Sequence, residues 1–288
     1  MPSSPKLVVI LGQTASGKTA LAIEVARKHN GAIICADSRT IYRGMDIGTA
    51  KPSQDEQKAI QHYLIDVVEP NQSFSVVEFK TLCQKYIAKI RQEGRLPIIV
   101  GGSGLYLDAF LFDYKFRSAT GLDVSEMTDD QKLELAQELY PQEILEIDSK
   151  NIRRVEQLLT RGPVNTNDRK HIKIPCKIIG LELDKPTLRQ NIEKRTKAML
   201  NNGFVQEVEK LRSKYGKDCP ALLTTGYKEV SEYLDKKIEK SMLEPEIVTS
   251  TLRLAKKQAT WFKRNQSIEW FNSYQKAIAA IEQYLREV

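Results

Sequence analysis

The stretch Leu7–Thr19, LVVILGQTASGKT, decides the fold. Five apolar residues run up to Gly12, and from there the chain follows the spacing G-x-x-x-x-G-K-[ST] through Gly17, Lys18 and Thr19. A strand covered on both faces reads as such a continuous apolar run, and Ala20–Lys28 carries on with helical spacing. Strand, glycine-bounded loop and helix are the setting in which this spacing makes a phosphate-binding P-loop. Backbone N–H groups at the helix N-terminus attract an anion, Lys18 adds a point charge, and Thr19 offers a hydroxyl to Mg²⁺. Gly12, Gln13, Thr14, Ala15, Ser16, Gly17, Lys18 and Thr19 are therefore predicted to cradle a phosphorylated group, with Thr19 at a metal.

Working outward, short apolar strands alternate with helical segments, which predicts a parallel sheet with crossover helices. Strands are expected at Leu7–Leu11, Ala32–Ala36, Tyr63–Val67 and Pro97–Val100. A helix at Ser75–Gln92 opens on a capping box with Glu78 and closes at Gly94, and a shorter one spans Leu105–Leu111. Beyond Asp113 the chain turns helical and charged. Gly162 and Pro163 break it, and Asn165–Lys173 reads as a polar turn or loop. Strand character returns at Cys176–Leu183. Helices are expected at 186–201, 204–214, 226–240 and 244–265, then a strand at Ser267–Phe271 and a last helix. The division is a core of residues 1–113 with 175–288, and a mostly helical insertion at 114–174.

The chain has 288 residues, 41% hydrophobic and 28% charged, an ordinary globular balance. No apolar run approaches the ~20 residues of a membrane span, and Met1–Lys6 passes directly into the first strand, so no secretory leader is expected. Cys35, Cys83, Cys176 and Cys219 show no metal-ligand spacing and read as reduced thiols. A cytoplasmic protein is expected. Net charge is +7, but residues 1–150 carry a net −3 and residues 151–288 a net +10. That asymmetry fits a polyanionic partner such as nucleic acid, or equally a solvated basic surface.

A nucleotide-hydrolysing P-loop protein usually holds its metal with an Asp at a strand end. The strand LPIIVGGSG ends in Gly101 and Gly102 instead, with Ser103 supplying a hydroxyl. The carboxylate comes after the second strand, in CADSRTIYRGMDIGTAKP, where Asp37 stands at the carboxyl end at which parallel sheets meet ligands. An Asp here also caps turns. The block Asp37–Pro52 resembles a long signature of the tRNA dimethylallyltransferases. So do GQTASGKT, GGSGLYL at Gly101–Leu107, and the spaced set Arg195, Met199, Gly203-Phe204 and Glu207-Val208. Gly226-Tyr227 and LAKKQATWFKR at Leu254–Arg264 complete the resemblance, which covers nearly the whole chain.

The resemblance implies an α/β fold, a P-loop NTPase-like parallel sheet flanked by helices. It implies transfer of a dimethylallyl group from dimethylallyl diphosphate to N6 of the adenosine 3′ of the tRNA anticodon, with Mg²⁺ as cofactor. Asp37 would be the base, Lys18, Thr19 and Arg195 would stabilise the leaving diphosphate, and Ser103 would contact nucleophile or diphosphate. Asp37, Ser38, Arg39, Thr40 and Ser103 would meet the target adenine. Arg153, Arg154, Arg253, Lys257 and Gln258 would hold the tRNA, the insertion lying against the anticodon stem-loop. Arg253, Lys257 and Arg264 recur on one face of the helix 244–265. A monomer is expected. Gln13 stands where the family commonly has Pro, Ser103 for Thr, Leu252 for Arg and Gln157 for a further Arg, and the paired Cys and His of a zinc finger are absent. Transfer to free adenosine nucleotides, a P-loop small-molecule kinase and an inactive RNA-binding relative are the alternatives.

Overall fold

The computed structural model describes residues 6–115, 121–149, 151–162 and 171–287. Pro163 and residues 165–170 of the expected polar turn lie outside them. The chain forms two compact units, residues 1–110 with 174–288, and residues 111–173.

The larger unit is built on six parallel strands. These are β1 (Val8–Gly12), β2 (Gly31–Ala36), β3 (His62–Tyr63), β4 (Leu96–Gly101), β5 (Lys177–Leu181) and β6 (Glu269–Phe271), in the order β3-β2-β4-β1-β5-β6. Every residue of β1 and β2 is buried, which explains their unbroken apolar sequences. Helices α1 (Lys18–Lys28) and α11 (Tyr274–Arg286) cover one face through Leu21, Val25, Ala277 and Ile281, which join β1, β2, β4 and β5 residues in one cluster. Helices α2 (Gln54–Ala59) and α3 (Val76–Gln92) each start on a reciprocal capping box, Ser53 with Glu56 and Ser75 with Glu78. The pair Ser53 and Glu56 is the sequence signal by which α2, not anticipated, could have been found.

Helix α4 (Gly104–Leu111) follows β4. In the smaller unit, α5 (Asp129–Leu139) and α6 (Ile152–Arg161) close on a core of Val124, Ala136, Ile144, Val155, Leu158 and Leu159. Beyond β5, the larger unit adds α7 (Lys185–Asn201), α8 (Phe204–Tyr215), α9 (Tyr227–Leu234) and α10 (Lys240–Phe262).

Three expectations need correcting. The strand read at Tyr63–Val67 stops at Tyr63, because Leu64 and Asp66 adopt φ of 62° and 54°. The backbone there pairs instead with the loop after β2, Asp66 N–H to Thr40 and Val67 N–H to Ile41. Lys51, its side chain 3% exposed, ties the same corner through Asp46, Asp66 and the Tyr42 carbonyl. The helix expected at 226–240 ends at Leu234, where Lys236 turns with φ 60°. Helix α10 then starts at Lys240 and ends at Phe262, so Arg264 lies beyond it and does not continue the face of Arg253 and Lys257. Arg264 instead stacks on Trp261, 5.5 Å from the ring centre.

Candidate active site

Strands β2, β4 and β1 are neighbours, so the segments leaving their carboxyl ends meet. After β1 comes the P-loop, after β2 Asp37, and after β4 Gly102 and Ser103. The ends of β2 and β4 approach so closely that a Cβ on Gly101 would lie 2.0 Å from the Ala36 carbonyl oxygen. The Ser103 N–H donates to that same oxygen at 3.2 Å. Only glycine fits there.

The P-loop bends through left-handed Ala15 (φ 62°) and Gly17 (φ 88°). Gly17 is the N-cap of α1 and supplies no side-chain cap, and no acid occupies the first turn. The orphan N–H groups of that turn are thus open to an anion. Helices α7 and α10 brace the loop. Gln13 donates to the Ala255 carbonyl at 3.1 Å, Asn191 to the Ala15 carbonyl at 3.2 Å, and Arg195 to the Thr14 hydroxyl at 2.6 Å. Gln258 accepts from the Thr14 N–H at 2.8 Å and donates to the Gly102 carbonyl at 3.0 Å, joining the P-loop to the turn after β4. A Cβ on Gly102 would come within 2.4 Å of that amide.

These segments surround a cavity of about 400 Å³ lined by Thr14, Lys18, Asp37, Ser38, Arg39, Ser103, Arg195, Lys257 and Gln258 among others. Asp37 accepts the Arg39 N–H at 2.9 Å on Oδ1, an Asx turn, and nothing among the described residues engages Oδ2. Ser103 Oγ accepts from the Ser38 N–H at 2.9 Å and donates to the Ser38 hydroxyl at 3.2 Å. Arg39 donates to the Thr225 carbonyl at 3.3 Å. Burial lowers the Lys18 ammonium to about 8, Asp37 opposing and Arg195 adding to the fall. Burial also lowers Arg39 and Arg195, against the pull of Asp37. The cavity therefore holds three poorly solvated cations facing one carboxylate, an arrangement that favours a multiply charged anion.

Other predicted residues stand elsewhere. Thr40 is 7% exposed, lies outside the cavity wall, and its hydroxyl finds no hydrogen-bond partner among the described residues. Thr19 is half-buried in the first turn of α1, outside the wall. Arg253 is exposed on α10, and Arg153 and Arg154 are exposed on α6 of the smaller unit. Among the described residues no three His, Cys, Asp or Glu cluster as metal ligands. Thr14, Ser16 and Thr19 are the hydroxyls of the P-loop, hard oxygen donors of the kind Mg²⁺ takes together with phosphate oxygens, and Thr14 alone of the three lines the cavity.

Sequence reasoning assigned no role to Glu207. Its carboxylate accepts the N–H groups of Asp46, Ile47 and Gly48 at 2.9, 2.7 and 3.1 Å and the Tyr227 hydroxyl at 2.6 Å. It thereby pins the middle of the Asp37–Pro52 block against α8 and α9. Replacing Glu207 by Ala strands three N–H groups and is expected to cost about 2–4 kcal/mol of stability. Urea denaturation checks this, and a midpoint equal to the parent's would refute the clamp.

A family model described as IPP transferase matches residues 40–265. A tRNA dimethylallyltransferase of Acetivibrio thermocellus is 39% identical over 97% of this chain and 97% of that protein. One from Bacillus mycoides is 37% identical over 93% of this chain and 90% of its own. The chain belongs to the IPP transferase family. The crystal structure of a tRNA delta(2)-isopentenylpyrophosphate transferase from Staphylococcus epidermidis superposes with a TM-score of 0.76 at 32% identity, covering 99% of this chain and 100% of that one. Three of the positions at which the chain departs from the resemblance have a local setting. Gln13 tethers the loop by its side chain, and Leu252 packs against the cluster of Leu188, Ile192, Val248 and Ala255. Gln157 is exposed on α6.

Proposed function

We propose that the protein transfers a dimethylallyl group from dimethylallyl diphosphate to N6 of the adenosine immediately 3′ of the anticodon in tRNA, releasing diphosphate. One observation carries the reading. An open helix N-terminus with Lys18 and Arg195 shares a single cavity with Asp37, whose Oδ2 is unengaged.

The diphosphate sits on the first turn of α1, with Lys18 and Arg195 balancing the charge that grows as the C1–O bond breaks. Ser103 and Ser38 contact the acceptor or the bridging oxygen. N6 attacks C1 and forms the new N–C bond, and Asp37 Oδ2 takes the proton that N6 sheds. Mg²⁺ beside Thr19, when bound, supplies further positive charge to the diphosphate. The braces Gln13, Asn191 and Gln258 hold the loop still, so little reorganisation is needed when charge develops.

The target base has to leave its stack to reach this cavity. Lys257 lines the cavity and Arg253 is exposed on the same helix, one turn away, which supports a backbone grip on the anticodon arm. Arg153 and Arg154, with the smaller unit, are assigned to the anticodon stem-loop. The double change Arg253→Ala and Lys257→Ala is expected to weaken tRNA binding and reduce the slope of log K against log salt by about 1–2. Filter binding across a salt series checks it, and an unchanged slope would remove both from the interface. No described helix is long and apolar enough to cross a membrane. A monomer working in the cytoplasm is part of the same proposal.

The acceptor is tested with labelled dimethylallyl diphosphate and Mg²⁺, offering unmodified tRNA or AMP in parallel. Label entering tRNA is the expected result. Label entering AMP alone would assign the protein to free nucleotides, and label entering neither would overturn prenyl transfer.

A further inference from the structure

The cavity changes character along α7. Arg195 faces the P-loop, and Met199, four residues on and so on the same face of the helix, also lines the cavity. Four residues advance about 6 Å along a helix axis. There three buried apolar side chains join the wall, Met199 (8% exposed), Phe204 (0%) and Ile247 (2%), among the threonines that also line it. All three belong to one packed core cluster.

This wall is also rigid. Phe204 meets Tyr227 edge-on with ring centres 5.0 Å apart. Gly48 lies so close that a Cβ there would fall 2.1 Å from the Phe204 ring and 2.6 Å from Tyr227. The Gly48 N–H is held by Glu207 at 3.1 Å, and Glu207 also takes the Tyr227 hydroxyl. Neither ring nor backbone has room to retreat from a longer ligand.

We propose that Met199, backed by Phe204 and Ile247, ends the prenyl subsite and limits the transferred group to five carbons. The inference rests on the prenyl transfer proposed above. A chain leaving the diphosphate toward the apolar end meets Met199 within about one helical turn of Arg195. A dimethylallyl group fits that span, and a ten-carbon geranyl chain does not. Methionine is the adjustable member of the wall, since its side chain is unbranched and flexible and, at 8%, is the most exposed of the three. Shortening it extends the subsite without breaking the Phe204–Tyr227 pair.

The test compares kcat/KM for geranyl diphosphate with that for dimethylallyl diphosphate, using the same tRNA, in the parent and in Met199→Ala. Met199→Val serves as a milder second variant, and thermal melting establishes which variants are folded. The parent is expected to use geranyl diphosphate at under about one hundredth of its five-carbon rate, since overpacking a rigid apolar wall is unfavourable. The geranyl-to-dimethylallyl ratio should rise at least about tenfold in Met199→Ala and less in Met199→Val, in proportion to the space opened. A ratio unchanged in the folded variants would overturn the assignment, and so would a parent that already accepts geranyl diphosphate. Failure of the parent to transfer even the five-carbon group would instead overturn the proposed function.

Discussion

Replacing Asp37 by alanine is expected to lower turnover roughly 10²–10⁴-fold while tRNA affinity stays within a few-fold. Position is the first reason. Asp37 is the first residue after β2, at the carboxyl edge where β2, β4 and β1 lie side by side, so its carboxylate enters the same cavity as the P-loop. Its Oδ1 is fixed by the Arg39 N–H at 2.9 Å, which orients Oδ2. The chemistry is the second reason. An exocyclic amine is a weak nucleophile, and the transition state improves when the departing proton has an acceptor within hydrogen-bond reach. Asp37→Asn keeps the shape but not the acceptor charge and should fall nearly as far as alanine. Single-turnover kinetics with labelled donor, together with filter binding of tRNA, separate the chemical loss from a binding loss. A variant with near-normal turnover would remove Asp37 as base.

Lys18→Met should cost roughly 10²–10³ in kcat/KM for the diphosphate donor, the scale of removing one preorganised charge from a developing anion. Lys18 lines the cavity and donates to the Gln13 carbonyl at 3.1 Å, so it is already pointed along the loop. Burial and Arg195 hold its ammonium near 8, well below an ordinary lysine. The sign follows directly. Below pH 8 the group is charged and attracts the diphosphate, and above pH 8 the free enzyme loses that charge. kcat/KM for the donor should therefore decline with an apparent pKa near 8, because that parameter reports the free enzyme. The decline should be weaker in kcat, since a bound diphosphate stabilises the ammonium. In Lys18→Met this limb should vanish. An alkaline limb that persists unchanged in the variant would assign it to another group.

Much of the site is written in short, local patterns. The P-loop spacing, the Asp37 block and Gly101–Ser103 each occupy contiguous residues, and the sheet brings their strands together as neighbours. What local pattern does not reveal is the bracing. Arg195 to Thr14, Asn191 to Ala15 and Gln258 to Thr14 join residues 176 to 244 positions apart. Gln258 reads in sequence as a tRNA contact. In the fold both ends of its amide are taken by backbone of the P-loop and the β4 turn. Glu207 is similar, since its four hydrogen bonds reach 161 residues back and 20 forward. The strand misread at Tyr63–Val67 has the same origin. Its apolar residues suit a strand, but tertiary bonds to Thr40, Ile41 and Lys51 draw the backbone into a tighter corner. The end of α10 before Arg264 also escaped periodicity, because the charged pattern runs on past the last helical turn.

The measurement that bears most directly on the account is a simultaneous count of diphosphate released and prenylated adenosine formed, with tRNA, dimethylallyl diphosphate and Mg²⁺ in one reaction. If the P-loop holds a leaving group and Asp37 serves the amine, the two products accumulate one for one and both stop in Asp37→Ala. Orthophosphate or a phosphorylated acceptor formed from ATP, with no prenylated adenosine, would contradict the account and make the P-loop that of a phosphoryl-transfer enzyme.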